Sequence, residues 1–330
     1  MSTIKYIVTK RSYESWPSWD LVYEWEDCLT AELGLTLLCS ASFLKKCPRL
    51  RNLYIKLLPW IERSLLRNGY IFRFDMHPYF EGCEVNDKRI IPCIIDFYLS
   101  QKDLARFDRW YGNFAAVAIS NRQAYEWLME NKQLCPNVRL VHLPLSISDI
   151  YQLRQQYTKE YDVVLMGRQN PILEQFFHTY VQSRASVSYV YRRQVDNNFL
   201  YYTNAGTLIG DCNNRASYME LMRKARIGLY APPGIDGDEQ RCNGFSQVTP
   251  RFLEYISCGC HIIARYVKNS DTTFYEIEKF CASIETYEQF EKAMDYALSH
   301  EVDIDMYKTY LSKHYTSDIA KQIEQIAKAL

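Results

Sequence analysis

The chain has 330 residues, 48% hydrophobic and 24% charged, enough for one large core or two ordinary ones in a soluble globular protein. Lys+Arg and Asp+Glu both number 39, so no global field favours nucleic acid and any basic surface must be local. Eleven scattered cysteines without a CxxC pair, a start lacking the apolar core of a signal peptide, and no long uncharged apolar run lead us to expect a cytoplasmic protein without a transmembrane span or zinc site.

Apolar runs alternate with helical patterns from end to end, the rhythm of an α/β protein. In the first half, strands are predicted at Lys5 to Val8, Gly34 to Cys39, Tyr70 to Phe74, Ile90 to Asp96, Ala115 to Ser120 and Val138 to His142. Helices are predicted at Glu24 to Leu33, Leu50 to Arg67, Leu99 to Tyr111 and Arg122 to Asn131. Leu143 to Lys159, with Pro144 and a polar, Tyr- and Gln-rich helix, reads as a boundary, dividing the chain into residues 1–150 and 151–330. A second series follows: strand Asp162 to Met166, helix Ile172 to Gln182, strand Val187 to Tyr191, helix Ser217 to Ala225 and strand Ile227 to Tyr230. Late helices are expected near Tyr287 to Ser299 and Ile319 to Leu330. Repeated strand, helix and strand imply right-handed crossovers, parallel sheets and two doubly wound units facing across a cleft.

The most informative stretch is Asn243 to Tyr266, NGFSQVTPRFLEYISCGCHIIARY. A small polar loop leads to Pro250, a short helix carries Arg251 and Glu254 and stops at Gly259, and Ile262 to Ala264 is strand-like. The unpaired N–H groups of such a helix start suit a phosphate or diphosphate, and Glu254, one turn in, can accept from a sugar hydroxyl. Arg168 follows Gly167 at a strand's carboxyl end, where a guanidinium can grip phosphate oxygens or simply be a solvated loop residue. Tyr191, Arg192 and Arg193 end the next strand, and Tyr230 ends the one after. With the 243–259 motif that comes next in sequence, these make four consecutive strand-end features on one rim and argue for a nucleotide bearing a pyrophosphate.

The run Asp162 to Arg168, followed by TPRFLEYISCGCHIIA, resembles the donor domain of group 1 type glycosyltransferases with the GT-B fold, and most of all the subgroup related to spore-maturation glycosyltransferases. In the first half, IIPCIIDFY, FAAVAISNRQAYEWL and VRLVHLPLSIS are similar only to a generic acceptor domain. The resemblance implies two Rossmann-like domains, an acceptor-binding one over 1–150 and a nucleotide-sugar-binding one over 151–330, with the last helix packing back on the first. It implies a hexosyl-type transferase acting on a saccharide acceptor, lipid-linked, in surface polysaccharide or glycoconjugate synthesis. Gly167 and Arg168 are then expected near the donor diphosphate and Glu254 on the ribose. Tyr191, Arg193, Tyr230, Gly244, Phe245, Ser246, Gln247, Thr249, Pro250 and Arg251 complete the donor wall. Many relatives carry a second Glu where Ser246 stands here, so the donor-sugar contact departs from the pattern. The rival functions are a sugar-nucleotide epimerase and a noncatalytic binding or assembly protein.

For catalysis, FRFDMHPYF puts Asp75 and His77 beyond a strand, beside Tyr79 and Phe80, as a base pair for an acceptor hydroxyl; a turn cap and a satisfied loop histidine are the alternative. Asp96 is a second candidate, and His261 reads as packed. Asp236-Gly237-Asp238 and Asp303-Ile304-Asp305 spell DxD, but no metal or other cofactor is expected. Residues 44–67 can form a basic amphipathic helix, kinked at Pro59, either lying on an anionic membrane at the inner face or packing as a core helix with a solvated edge.

Overall fold

The computed structural model describes residues 4–14, 16–38, 49–50, 53, 57, 69–79, 88–196 and 198–330. The chain divides into two compact units. Unit 1 holds the chain up to Asp149 together with Arg241–Phe245 and Tyr315–Leu330; unit 2 holds Ile150–Gln240 and Ser246–His314. Each is an α/β layer structure built on a largely parallel sheet. The 44–67 stretch lies outside the described residues except for Arg49, Leu50, Leu53 and Leu57, and Phe80 lies outside them too. Among the described residues no helix is long and apolar enough to cross a membrane.

In unit 1 the elements run β1 (Ile4–Val8), α1 (Pro17–Leu33), β2 (Thr36–Leu38), β3 (Tyr70–Asp75), β4 (Ile90–Ile94), α2 (Leu104–Tyr111), β5 (Val117–Ile119), α3 (Arg122–Glu130) and β6 (Leu140–His142). The sheet order is β2-β1-β3-β4-β5-β6, all parallel. Covered on both faces, β4 is buried at every position, as an apolar run without alternation requires. Helix α1 begins two turns before the expected Glu24, because Pro17 starts it and Trp19, Val22, Trp25 and Leu29 extend its buried face. Gly34, at φ 63°, ends it in the left-handed conformation. The order reverses between β1 and β3, which makes their carboxyl ends the switch point of this unit.

In unit 2 the elements are β7 (Tyr161–Val164), α4 (Pro171–Gln182), β8 (Tyr189–Val195), β9 (Asn198–Thr203), β10 (Leu208–Gly210), α5 (Arg215–Arg223), β11 (Ala225–Tyr230), α6 (Pro250–Ser257), β12 (His261–Ala264), α7 (Ser270–Phe274), α8 (Tyr287–Ser299) and α9 (Ile304–Leu311). The order is β10-β9-β8-β7-β11-β12. The strands β7, β8, β11 and β12 are parallel, while β9 and β10 form an antiparallel extension that the sequence reading does not include. Helix α10 (Thr316–Lys328) belongs to unit 1, where Thr316 N–H donates to the Ile147 carbonyl at 3.0 Å and Ile319, Ala320 and Ile323 enter the core with Trp19, Val22 and Phe72.

The boundary segment 143–159 is not helical beyond a 3-10 turn at Asp149–Tyr151. Its side chains close the end of α6 instead. The Tyr157 hydroxyl donates to the Ser257 carbonyl at 2.6 Å and Lys159 Nζ to the Cys258 carbonyl at 2.9 Å, placing a cation at the negative end of the helix. Gly259, at φ +61°, is where a side chain would strike the Tyr157 ring, with only 2.5 Å to the nearest carbon.

Candidate functional site

In unit 2 the switch point lies between β7 and β11. Gly167, just past β7, has φ +66°, and a Cβ there would lie 2.5 Å from Nη2 of Arg251. The backbone conformation favours glycine, and any side chain there would have to displace the guanidinium resting on it. Arg251, the second residue of α6, donates from Nη1 to the Arg168 carbonyl at 3.1 Å, so α6 and the loop after β7 are tied by one side chain. Its Nε is buried and has no hydrogen-bond partner. Burial works against the charge of Arg251, but Tyr218, Tyr255 and Glu254 outweigh it and its pKa is raised. The Tyr255 ring occupies the space that a side chain at Gly228 of β11 would fill.

Arg192 completes this cluster. It stands opposite Tyr201 in the β8–β9 pairing and therefore shares a sheet face with it. It is half-buried, and its pKa is lowered, first by burial and then, against the pull of Tyr201, by the positive charges of Arg251 and Arg168. Arg193 points the other way and is exposed, which corrects its expected place in the donor wall. The period of two along a strand allows only one of two successive arginines on a given face. Arg168 is 58% exposed, with one ion pair to Asp238 at 3.4 Å. A cavity of about 440 Å³ at these strand ends is lined by Gly167, Arg168, Tyr191 and Arg192 together with Glu174 and His178 of α4. A larger one, about 780 Å³, lies on the α5 side among Tyr151, Arg154, Glu220 and Arg223.

The loop before α6 is less open to an anion than its sequence suggests. Val248 N–H donates to Asp271 Oδ2 at 2.5 Å and Thr249 N–H to the Tyr230 hydroxyl at 2.9 Å. Tyr230 is fully buried and serves the loop backbone rather than a ligand, and Pro250 at N1 has no N–H. Ser246 and Gln247 are buried, with the Ser246 carbonyl accepting from Asn269 Nδ2 at 2.9 Å. Gly244 and Phe245 group with unit 1, and the Phe245 ring packs at 5.3 Å from Trp127 and 6.2 Å from Phe97, so Phe245 is a core residue there and not a donor contact. Glu254 is 3% exposed and its Oε1 lies 2.7 Å from Nη2 of Arg215, an arginine the sequence reading did not single out. Nothing in sequence spacing joins positions 215 and 254; only the packing of α5 beside α6 does.

At the switch point of unit 1 the expected Asp75–His77 pairing is not formed. Asp75 is fully buried, its Oδ1 held by Lys10 Nζ at 3.0 Å and its Oδ2 by Arg73 Nε and Nη2 at 3.2 and 3.1 Å. Burial raises its carboxyl pKa, but Arg73 and Lys10 outweigh it, and the net shift is downward. With both oxygens bonded to cations, Asp75 is a structural ion pair and not an available base. His77 is exposed beside Tyr79, ring centroids 4.6 Å apart, and burial of part of the ring followed by the charge of Lys10 lowers its pKa. Asp96, at the end of β4, is pushed up to about 6 by burial, partly offset by Arg241 and a hydrogen bond from Tyr98. His261 Nε2 is bonded to the His300 carbonyl at 2.8 Å, as a packed histidine would be.

Neither DxD pair is arranged as an ion site. Asp236 makes a bidentate pair with Arg265, at 2.8 and 2.9 Å, and accepts from Asn170; Asp238 faces Arg168 and the Gly234 N–H. Asp303 caps α9 through the Met306 N–H. Among the described residues no group of three His, Cys, Asp or Glu side chains is placed to hold a metal.

Residues 168–325 match a family described as glycosyl transferase-like. No curated protein sequence matches the chain. Among solved structures, the avilamycin A biosynthesis glycosyltransferase AviGT4 superposes with a TM-score of 0.53 at 9% identity, covering 98% of this chain and 97% of that one. Sucrose-phosphate synthase from Thermosynechococcus elongatus gives 0.51 at 10% identity over 99% and 98%. The pneumococcal O-GlcNAc transferase GtfA, solved with UDP and GlcNAc, gives 0.50 at 11% over 84% and 60%. At these identities the structures speak for the fold, and the family match speaks for the type of enzyme. Residues 168–325 thus form a glycosyl transferase-like region, in a chain with the GT-B type of fold.

Proposed function

We propose that this protein transfers a hexosyl group from a nucleoside-diphospho-sugar, held on unit 2, to a saccharide acceptor served by unit 1. The observation that carries the reading is the convergence of Arg168, Arg192 and Arg251 at the switch point of unit 2, with their charges close enough to oppose one another and Asp238 of the DxD on one of them. Such a cluster is completed by a polyanion, and a diphosphate supplies the right charge and oxygen geometry. In the displacement at the anomeric carbon, the sugar's bond to the diphosphate breaks as the bond to the acceptor oxygen forms. The three guanidinium groups stabilise the charge that develops on the departing diphosphate. His77 takes the acceptor's proton, and Glu254 accepts from the ribose.

Arginines acting on the diphosphate, together with DxD carboxylates already paired to Arg265 and Arg168, support catalysis without a divalent ion. The acceptor is lipid-linked, for surface polysaccharide or glycoconjugate synthesis at the cytoplasmic face of a membrane, where the cysteines stay as thiols. A melting-temperature panel of UDP, GDP, ADP, CDP and dTDP, each with and without chelator, tests the donor site. One diphosphate should raise the melting temperature by several degrees, unaffected by chelator, and Arg251→Ala should abolish the rise. No rise with any of the five would sink the donor assignment, and a rise lost on chelation would overturn the metal-free mechanism.

A further inference from the structure

Along α5, Ala216, Glu220 and Arg223 stand at i, i+4 and i+7 and so share one face, while Met219 and Met222 turn into the core. Together with Ile150 to Arg154 that face lines the cavity of about 780 Å³, whose walls all belong to unit 2. It shares no lining residue with the cavity at the strand ends. Arg223 is the informative wall. Its side chain is only 13% exposed, yet among the described residues no hydrogen bond engages its guanidinium, and its Nε is buried without a partner. Its carboxylate neighbour, Glu220, is half exposed with Oε2 3.6 Å from Nη1, and that same oxygen lies 4.0 Å from Nη2 of Arg154. At such distances and exposure the pairing is worth little. The other neighbours of Arg223 are the Tyr151 ring, with its centroid 5.6 Å from the guanidinium carbon, and Tyr157 and Cys258, which burial keeps protonated and neutral. The guanidinium has thus given up most of its water without gaining a close anion, an arrangement that a ligand can repair.

We propose that this cavity is a second anion site, separate from the strand-end arginines, that takes a phosphorylated monosaccharide. Arg223 and Arg154 hold the phosphate in place of Glu220, since two guanidinium forks that share one distant carboxylate match the several oxygens of a phosphate. The sugar lies along Ile150, Leu153 and Ala216, of which Ile150 is 66% exposed and offers an apolar wall. Ser217 Oγ donates to the Asn214 carbonyl at 3.1 Å and can still accept from a sugar hydroxyl. The volume lies in the range of small-molecule sites, and one wall of mixed apolar and hydroxyl character with two cations at one end favours a compact, hydroxylated phosphate ester. A neutral sugar leaves Arg223 unsatisfied, and a bare phosphate leaves the apolar wall uncovered.

Calorimetric titration of the full chain with glucose 1-phosphate, glucose 6-phosphate, glucose and inorganic phosphate tests the site. The better of the two sugar phosphates should bind with a dissociation constant of about 1 mM or tighter, inorganic phosphate about tenfold more weakly, and glucose not at all. Arg223→Met should lose about tenfold or more and Arg154→Gln about threefold, while binding should persist in Arg192→Gln. Glu220→Gln separates contact with the ligand from support of the fold: removing the internal competitor should tighten binding by about threefold, which damage to the structure would not do. Absence of binding by both sugar phosphates, or affinity unchanged in Arg223→Met, would overturn the proposal. Binding lost in Arg192→Gln would overturn it by placing the anion at the strand-end arginines, and inorganic phosphate binding as tightly as the esters would overturn the assignment to a sugar phosphate. Should Arg223→Met fail to fold, Glu220→Gln decides: unchanged or weaker binding there overturns the site.

Discussion

The carboxyl ends of the two sheets use charge in opposite ways. In unit 1, Lys10 and Arg73 close on Asp75 in an interior that excludes water, and Arg11 is paired with Glu26 and Asp27. In unit 2, Arg192 lies within electrostatic reach of Arg168 and Arg251, and Arg251 Nη1 donates to the Arg168 carbonyl. The first arrangement is saturated, so it holds strand ends together and offers little to a ligand. The second has a single direct carboxylate partner, Asp238 on Arg168, and on the proposed reading an anion from outside completes it. A charged residue at a strand end is thus a site only where its neighbours fail to neutralise it, which the residue type alone does not reveal.

The comparison breaks most visibly at Asp75. Asp75→Asn should cost about 3 to 5 kcal/mol of stability by urea unfolding, since it strands two buried cations, and should leave diphosphate affinity unchanged. Because the folded carboxyl titrates below its ordinary value, its contribution is present above about pH 4 and is lost as pH falls through the lower folded value; Asp75→Asn should flatten that acid limb. If the variant unfolds no more easily than the wild type, the saturated reading of unit 1 fails.

The catalytic role proposed for unit 1 is tested at His77. His77→Gln should lower kcat by about 100-fold with little change in donor KM. The lowered imidazole pKa keeps the ring neutral at pH 7, so the wild-type rate should fall only below about pH 6.5, and the variant should lack that limb. A variant with wild-type kcat would remove His77 from the mechanism. On the unsaturated side, Arg192→Gln should weaken diphosphate binding by about tenfold, while Arg193→Gln on the opposite face should stay within about twofold. Equal effects would mean that strand alternation does not decide which arginine meets the ligand. The smallest change, Gly167→Ala, should cost about 1 kcal/mol of stability from the left-handed backbone, and should weaken diphosphate binding by displacing Arg251; affinity equal to wild type would show that the close approach is incidental.

Much of the fold was legible because apolar periodicity and helix punctuation are local. Pro250 and Gly259 bracketed α6 correctly, and the strand cores of both sheets were found within a few residues. The start of helix α1 is hidden because Trp, Tyr and Glu mix along its first turns, and the boundary 143–159 lacks the polar helix its composition suggests because its side chains cap α6. The β9–β10 extension was missed because NFLYYT, half exposed, carries little apolar contrast. At the site, Gly167, Arg168, Arg251 and Glu254 are legible from position on strand ends and a helix start. Arg192 over Arg193, the buried role of Tyr230 and the core role of Phe245 are not.

By itself, the sequence determined the alternation of strands and helices and the two-unit α/β organisation, and it singled out the segment 243–266 as a candidate site, since all of these follow from local propensity and spacing. Only the tertiary structure decided which charges are spent. Asp271 and Tyr230 take two N–H groups of the loop before α6, Lys10 and Arg73 take Asp75, and Arg215 reaches Glu254 from 39 positions away. Neutralisation depends on distances of about 3 Å between groups remote in the chain, and only the packed fold sets those distances.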